Sequence, residues 1–244
     1  MTMSSLKLVL IFGAALCLYP LNARDTNLFW APNNTNNNID EPIISAANTK
    51  PGYDYFLLAL QLPAAFCKLQ QAEQRKCNPD PPLSKHQNKF TIHGLWPQLN
   101  NANPPLDCSP ATTMQDADFE AFEQDLLDYW PDLFSAQNFQ SSKVFWKMEW
   151  NKHGTCSSNE FNRQQYLRIT IDLAKKNAKG IFDGLINRGI IKKDGSTLRG
   201  KADIQKAVES ITGHKNPIAI IVQRLLLEIR LCVNQDGKAL SDCN

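Results

Sequence analysis

Two histidines lie among aromatic and charged residues, and their surroundings indicate one kind of chemistry. His93 lies in FTIHGLWPQ and His153 in FWKMEWNKHGTC. A neutral imidazole can take the proton from a ribose 2′-hydroxyl, and a protonated imidazole can give one to the departing 5′-oxygen. The five-coordinate phosphorus between them gathers negative charge, which a nearby ammonium group stabilises. Glu149 and Lys152, beside His153, complete the set of groups needed for metal-free phosphodiester transfer on RNA.

The second of these segments, residues 145–156, is predicted to form a helix that ends at Gly154. Helical spacing places five side chains on one face: Phe145, Met148, Glu149, Lys152 and His153. Trp146 and Trp150 lie away from that face and are expected in the core. The charged face is therefore either solvated surface or the lining of a cleft. The negative end of the helix and the Glu149 carboxylate both favour protonated His153.

Residue type alone does not make either histidine catalytic. His93 lies on a predicted strand, residues 89–96, where a half-buried histidine without a catalytic role is common. His153 could equally belong to a surface cluster of Glu, Lys and His side chains. In the catalytic interpretation, Trp96 and Phe145 serve as platforms on which RNA bases stack, because stacking tolerates any base.

The remaining sequence predicts the elements that would carry these residues. The segment YDYFLLALQL, from Tyr53, is typical of a strand, and residues 216–234 of one or two strands. Helices are predicted over 116–129, 162–180 and about 202–211. His86 is expected in an exposed loop and His214 in a turn after a helix. The pattern predicts an α+β fold with one domain, in which helices pack on an antiparallel sheet.

The N-terminus predicts the cellular compartment. Lys7 precedes an apolar run that is too short to span a membrane, and we interpret residues 1–23 as a secretory signal. Residues 24–50 are expected to form a flexible Asn-rich segment that contains the glycosylation sequon at Asn33. Residues 51–244 would be the folded domain of a secreted, extracellular protein. The formal net charge of +2 is too small for recognition of duplex nucleic acid.

Cysteine usage agrees with secretion. Of seven cysteines, Cys17 falls in the signal, which leaves an even number for disulfide bonds. Six cysteines allow 15 pairings, and their spacing leaves the choice open. Zinc is disfavoured because the sequence has no Cys-x-x-Cys pair and its histidines are scattered. We therefore expect disulfide bonds, and neither a metal nor a cofactor.

At both histidine segments the sequence resembles the secreted ribonuclease T-two family, in its plant branch of S-RNases and S-like RNases. The resemblance extends over residues 53–243. It implies an α+β fold and cleavage of single-stranded RNA through 2′,3′-cyclic phosphate ends, with little base preference. It implies that His93 and His153 exchange acid and base roles, with His153 as the first base. Glu149 and Lys152 match residues that stabilise the transition state, and Trp96 and Phe145 match base-binding positions.

The resemblance also implies three disulfide bonds: Cys67–Cys77, Cys108–Cys156 and Cys232–Cys243. Two positions depart from the family pattern. Met148 stands where many members have a third histidine that helps hold the substrate phosphate, and methionine can neither donate a hydrogen bond nor carry charge. Gln98 stands where members often have aspartate in a base-binding subsite, so the base preference of relatives does not transfer.

The biological role has two interpretations within the family. In either role the protein is expected to be a monomer that binds single-stranded RNA and does not associate with a membrane. A self-incompatibility S-RNase would in addition have a pollen F-box protein as partner. An S-like enzyme would serve phosphate recycling or defence. The sequence pI of about 8.1 and the missing third histidine favour the S-RNase. Two further alternatives are a catalytically impaired storage or binding homologue, with Met148 as an early sign of decay, and a disulfide-bonded lectin-like module.

Overall fold

The computed structural model describes residues 52–72, 77, 83–108, 111–134 and 138–244. All of these residues fall in one compact unit. The predicted signal (1–23), the Asn-rich segment (24–50) and the sequon at Asn33 lie outside the described residues. Within the described residues, none of the helices is both long enough and apolar enough to cross a bilayer.

An antiparallel sheet is the framework of the fold. Its strands are β1 Tyr55–Gln61, β2 Thr91–Gln98, β3 Ile218–Val222, β4 Leu225–Val233 and β5 Leu240–Ser241. The strand order is β2-β1-β4-β3, and β5 pairs with β4. The predicted strand region 216–234 is a hairpin, because Gln223 and Arg224 adopt positive φ angles of 48° and 62°. Such angles match the two-residue turns that join twisted antiparallel strands.

Seven helices accompany the sheet in the described part of the chain. They are α1 Pro63–Ala72, α2 Leu83–His86, α3 Ala117–Glu120, α4 Glu123–Tyr129, α5 Phe139–Lys152, α6 Arg163–Asn187 and α7 Lys201–Thr212. The predicted α+β class, with helices packed on an antiparallel sheet, is confirmed. Trp146 and Trp150 are each 1% exposed, so the predicted core face of α5 is also confirmed.

The helix boundaries differ from those expected. Helix α6 continues past Gly180 because Ile181, Phe182 and Leu185 extend its buried stripe by two turns. The predicted helix 116–129 is broken into α3 and α4 at Phe122, whose φ of −119° leaves the helical range. Helix α5 begins six residues before Phe145. Its first turn is capped by Asn138, whose side chain accepts a hydrogen bond from the Ser141 amide.

Two features between β1 and β2 were not anticipated. Helix α1 starts at Pro63, which suits a first helical position because proline has no amide hydrogen to satisfy. The expectation of an exposed His86 is wrong: its side chain is 2% exposed at the end of α2. Its Nδ1 atom is buried and has no hydrogen-bond partner. Burial lowers the pKa of His86 to about 4, and Lys89 and Lys85 lower it in addition.

The described residues contain three disulfide bonds, and these are the pairs expected from the resemblance. Cys67–Cys77 joins α1 to the chain that follows it, and Cys232–Cys243 joins β4 to the C-terminal segment. Cys108–Cys156 links the chain after β2 to the turn that follows α5. It therefore connects the two elements that carry the candidate catalytic histidines.

Candidate active site

His93 lies at a bulge in β2. Ala59 of β1 faces Gly94 and the next residue, Leu60, faces Ile92, so His93 is an extra residue without a partner in the pairing. In a regular strand, residues three apart point to opposite faces. The bulge removes that alternation and brings His93 to the face of Trp96, whose ring centroid is 5.2 Å from that of His93.

Buried aromatic side chains fix the backbone of β2 along its free edge. The indole nitrogen of Trp130 donates to the His93 carbonyl at 2.9 Å, and the Tyr166 hydroxyl donates to the Leu95 carbonyl at 2.6 Å. Burial raises the pKa of Tyr166 well above its usual value, so the hydroxyl remains a donor. An edge strand would otherwise leave these carbonyls without partners. These two hydrogen bonds therefore hold the backbone of β2 at and just after His93, on the edge that does not pair with β1.

Helix α5 brings the second group of residues to β2. The indole nitrogen of Trp146 donates to the Trp130 carbonyl at 2.7 Å, and that of Trp150 donates to the Thr112 carbonyl at 2.9 Å. With these two tryptophans in the core, Glu149 faces β2, where it accepts a hydrogen bond from Trp96 Nε1 at 3.0 Å. The opposite, charged face of the helix thus lines the site.

Gly94 leaves room for that hydrogen bond. A Cβ atom at this position would lie 2.2 Å from Trp96 Nε1 and 2.3 Å from Glu149 Oε2. Real Cβ atoms do not approach other atoms so closely. A residue without a side chain is therefore needed where the helix and the strand meet.

His153 lies just past the end of α5, where the backbone changes direction. Its amide still donates to the Glu149 carbonyl at 3.0 Å, and a 3₁₀ turn, Gly154–Ser157, follows. The chain after β2 binds the helix end directly, because the Asp107 amide donates to the Lys152 carbonyl at 2.9 Å. Together with the Cys108–Cys156 bond, these contacts hold His153 in place beside β2.

Trp96 stands between the two histidines. Its ring centroid is 5.2 Å from that of His153 and 5.2 Å from that of His93. The structure thus brings together five of the residues selected from the sequence: His93, Trp96, Glu149, Lys152 and His153.

The two histidines have opposite pKa shifts. Burial by itself lowers the pKa of His93, but a hydrogen bond to Glu228 and the charges of Glu228 and Glu149 raise it above its ordinary value. Burial lowers the pKa of His153 to about 3, with further lowering by Lys152 and His93. The expectation that His153 favours its protonated form is therefore wrong. Desolvation and two neighbouring cations outweigh the helix end, whose field falls off within one turn.

Glu149 is also perturbed. Burial raises the pKa of its carboxyl group above the usual value, although His93, the Trp96 hydrogen bond and Lys152 act in the opposite direction. A carboxyl group whose pKa is perturbed by burial and by specific charged neighbours is a candidate functional residue.

Two charged residues of the site were missed in the sequence. Glu228 and Arg230 lie in β4, and Glu228 Oε1 is 2.5 Å from His93 Nδ1. The segment LLLEIRLCV did contain a signal. Two charges two residues apart share one face of a strand that is otherwise apolar, and buried charges need partners. The partner could not be named, because it lies 135 residues away in the sequence.

Phe145 and Met148, the other two residues of this helix face, lie before Glu149 on α5. Phe145, one turn before Glu149, is half-buried and packs edge-on against Trp130, with ring centroids 6.5 Å apart. Met148 is 58% exposed.

Comparison with known proteins identifies the family. A family model described as Ribonuclease T2 family matches residues 53–243. The chain belongs to this family. Among its relatives, Ribonuclease S-7 of Nicotiana alata is 32% identical over 194 residues, 78% of this chain and 82% of that protein. Intracellular ribonuclease LX of Solanum lycopersicum is 29% identical over 80% of this chain and 79% of its own length.

Solved structures of plant ribonucleases have the same fold. Ribonuclease MC1 from bitter gourd seeds matches with a TM-score of 0.62 at 26% identity, over 79% of this chain and 95% of that chain. Japanese pear S3-RNase matches with a TM-score of 0.61 at 28% identity, over 78% and 90% of the two chains. A mutant of ribonuclease MC1 was crystallised with 5′-UMP. The protein is thus a ribonuclease, an enzyme that cleaves RNA, and its plant-branch resemblance is confirmed.

Proposed function

We propose that this ribonuclease is a secreted endoribonuclease that cleaves single-stranded RNA by metal-independent acid and base transfer through a 2′,3′-cyclic phosphate. One observation carries the proposal. Two histidines flank Trp96, and their surroundings shift the pKa of His93 upward and that of His153 downward. A pair of titratable groups whose environments separate their pKa values is the arrangement expected for an acid and a base.

In the first step His153 is the base and His93 the acid. Neutral His153 takes the proton of the ribose 2′-hydroxyl, and the 2′-oxygen forms a new bond to phosphorus. The bond from phosphorus to the 5′-oxygen breaks, its electron pair stays on that oxygen, and His93 supplies the proton. In the second step the roles reverse, so that His93 activates water and His153 protonates the departing 2′-oxygen.

Lys152 and Glu149 act on the transition state. The ammonium group of Lys152 stabilises the negative charge that collects on the phosphorus oxygens. The Glu149 carboxylate is held in the cluster by a hydrogen bond from Trp96 Nε1, and there it orients the reacting groups. Burial raises the pKa of this carboxyl group, whereas the charges of His93 and Lys152 and the Trp96 hydrogen bond lower it.

Trp96 and Phe145 provide the base platforms in this proposal. Both rings are half-buried: Trp96 lies between the two histidines, and Phe145 lies one turn before Glu149 on the same helix. The Trp96 ring also has the Arg230 guanidinium 5.0 Å from its centroid, and the edge of the ring is engaged by Glu149. Stacking on such rings accepts any base, which gives little base preference.

The remaining features of the proposal concern the whole chain. Residues 1–23 would be removed as a signal, residues 24–50 would carry a glycan at Asn33, and residues 51–244 would form the ribonuclease domain of an extracellular monomer. Extracellular ribonuclease LE of Solanum lycopersicum is 27% identical over 82% of this chain. Mass spectrometry of the protein recovered from culture medium would identify its first residue and any glycan at the sequon.

For the biological role we keep two candidates. Similarity to Ribonuclease S-7 favours a self-incompatibility S-RNase that meets a pollen F-box protein. Similarity to ribonuclease LX favours an S-like enzyme of phosphate recycling or defence. Expression restricted to the style would support the first candidate, and expression in starved or wounded leaf the second. A catalytically impaired storage homologue is disfavoured because both proton-transfer histidines are present.

The reaction is tested with purified protein and its His153→Ala and His93→Ala variants. We expect the wild type to digest single-stranded RNA in excess EDTA and to release 2′,3′-cyclic phosphate ends, detected by mass spectrometry. Both variants should lose at least about 100-fold in rate, the low end for general acid or base catalysis. The profile of kcat/KM against pH should have its acid limb below pH 6.5 and its alkaline limb above it. Equal digestion by all three proteins would refute the assignment.

A further inference from the structure

Glu228 is buried in β4 and contacts the catalytic cluster through one atom. Its residue exposure is 8%, and its Oε1 lies 2.5 Å from His93 Nδ1. The hydrogen bond and the charge of His93 keep the pKa of this carboxyl group below its usual value despite burial, which alone would raise it. An ionised carboxylate can only accept hydrogen bonds, so Nδ1 must carry the hydrogen. Nε2 is then the nitrogen that remains for the substrate.

The sheet explains how β4 reaches a residue of β2. Strand β1 lies between them, and its Ala59 faces both Gly94 of β2 and Arg230 of β4. Two strands on either side of a third lie roughly 10 Å apart. The Glu228 and His93 side chains together span this gap, with the small side chain of Ala59 between the two strands. The bulge at His93 places its ring on the same face.

Arg230 holds the second oxygen of the same carboxylate. Its Nε and Nη2 atoms each lie 2.8 Å from Glu228 Oε2. The guanidinium carbon is also 5.0 Å from the centroid of the Trp96 ring. One carboxylate oxygen is thus bound to His93 and the other to Arg230, so the carboxylate cannot rotate without losing a charge-assisted hydrogen bond.

We propose that Glu228, held by Arg230, is a positioning residue that fixes the His93 ring for delivery of its Nε2 proton to the 5′-oxygen. This inference rests on the proposed acid role of His93. Glu228 keeps its own charge throughout and neither takes nor gives a proton. Its negative charge stabilises the imidazolium before transfer, and its Nδ1 contact prevents the ring from turning.

The charged groups around His93 allow the effect to be predicted. Glu228 and Glu149 favour its protonated form, whereas Arg230 disfavours it. His153 faces the same space across Trp96 and is disfavoured as a cation by His93. Removal of the Glu228 charge should therefore lower the pKa of His93, and removal of the Arg230 charge should raise it.

The test compares Glu228→Gln with Glu120→Gln, which makes the same charge change at an exposed position of α3. In Glu228→Gln we expect kcat to fall about 10- to 100-fold at neutral pH, as for one charge-assisted hydrogen bond, with little change in KM. The alkaline limb of the pH profile and the pKa of His93, followed by NMR, should both move down by about 1 to 3 units. Glu120→Gln should match the wild type.

A second variant protects the test against a folding defect. Arg230→Gln should move the alkaline limb and the NMR pKa of His93 to higher pH, the direction opposite to Glu228→Gln. Lower activity in Glu228→Gln with an unmoved His93 pKa would mean a merely structural role and would overturn the inference, as would the absence of an upward shift in Arg230→Gln. Because the NMR pKa is read without substrate, failure of this inference is distinguishable from failure of the catalytic assignment, which the alanine variants of the histidines test.

Discussion

Gly94 provides a direct test of the contact between β2 and the catalytic helix. In Gly94→Ala, the new Cβ would stand 2.2 Å from Trp96 Nε1 and 2.3 Å from Glu149 Oε2, whereas ordinary contacts begin at 3.4 Å. Both groups must therefore move by about 1 Å. The 3.0 Å hydrogen bond between them would be lost.

The main expected effect of Gly94→Ala is a lower kcat/KM. A hydrogen bond to a charged group contributes about 1.5–3 kcal/mol, and a misplacement of about 1 Å in an active site can cost about 100-fold in rate. We expect kcat/KM on a dinucleoside monophosphate to fall about 100-fold. Because Gly94 has no positive φ, alanine adds no backbone strain. Overpacking and the lost hydrogen bond should lower the free energy of unfolding by about 1–3 kcal/mol, so kcat/KM is compared under conditions in which the variant is folded.

Two further variants make this test specific. Gly180→Ala is the matched control, because nothing lies within 4 Å of its new Cβ. It should keep full activity and gain up to about 1 kcal/mol in stability, since alanine favours the helix. Trp96→Phe removes the same hydrogen bond from its other side, so its effect and that of Gly94→Ala should not add in the double variant. A folded Gly94→Ala with wild-type kcat/KM would refute the role given to this contact.

Two other predictions concern His86 and Met148. The pKa of His86 is lowered from 6.5 to about 4 by folding, so the unfolded chain binds a proton first as the pH falls, and stability is lost below about pH 6.5. Between pH 7 and pH 5, urea unfolding should show that the wild type loses about 2 kcal/mol more than His86→Gln, with His214→Gln, at a half-buried position, as the control. Equal losses in wild type and His86→Gln would contradict the shift. Met148→His should raise kcat/KM on RNA about tenfold by adding a charged phosphate contact, whereas Met148→Gln should give a smaller gain; no gain from histidine would contradict the account of Met148.

The sequence contained most of the local information. The spacing of Trp146 and Trp150 against the charged residues of α5 predicted which face of the helix is buried, because helical periodicity fixes directions from sequence alone. Alternating and β-branched residues indicated the strands. Element ends were less accurate: Gly180 read as a helix end, yet α6 continues because a buried apolar stripe outweighs the small cost of one glycine.

The sequence allowed only part of the candidate active site to be predicted. His93, Glu149, Lys152 and His153 were selected from residue type and from the family resemblance, but the sequence misjudged the electrostatics of His153. The local sequence shows the helix end and Glu149, both of which favour the protonated form of His153. It does not show that His153 is buried or that His93 approaches it, since both arise from packing. The buried position of His86 was missed for the same reason.

The sequence by itself determined the helix and strand that carry the candidate catalytic residues, the two faces of that helix, and the family to which the chain belongs. The tertiary structure alone decided which charges meet. Glu228 reaches His93 because β4 and β2 flank the same small residue, Ala59, and because a bulge turns His93 toward them. Contacts between residues 135 positions apart depend on strand order and register. These are properties of the whole sheet, and no local pattern encodes them.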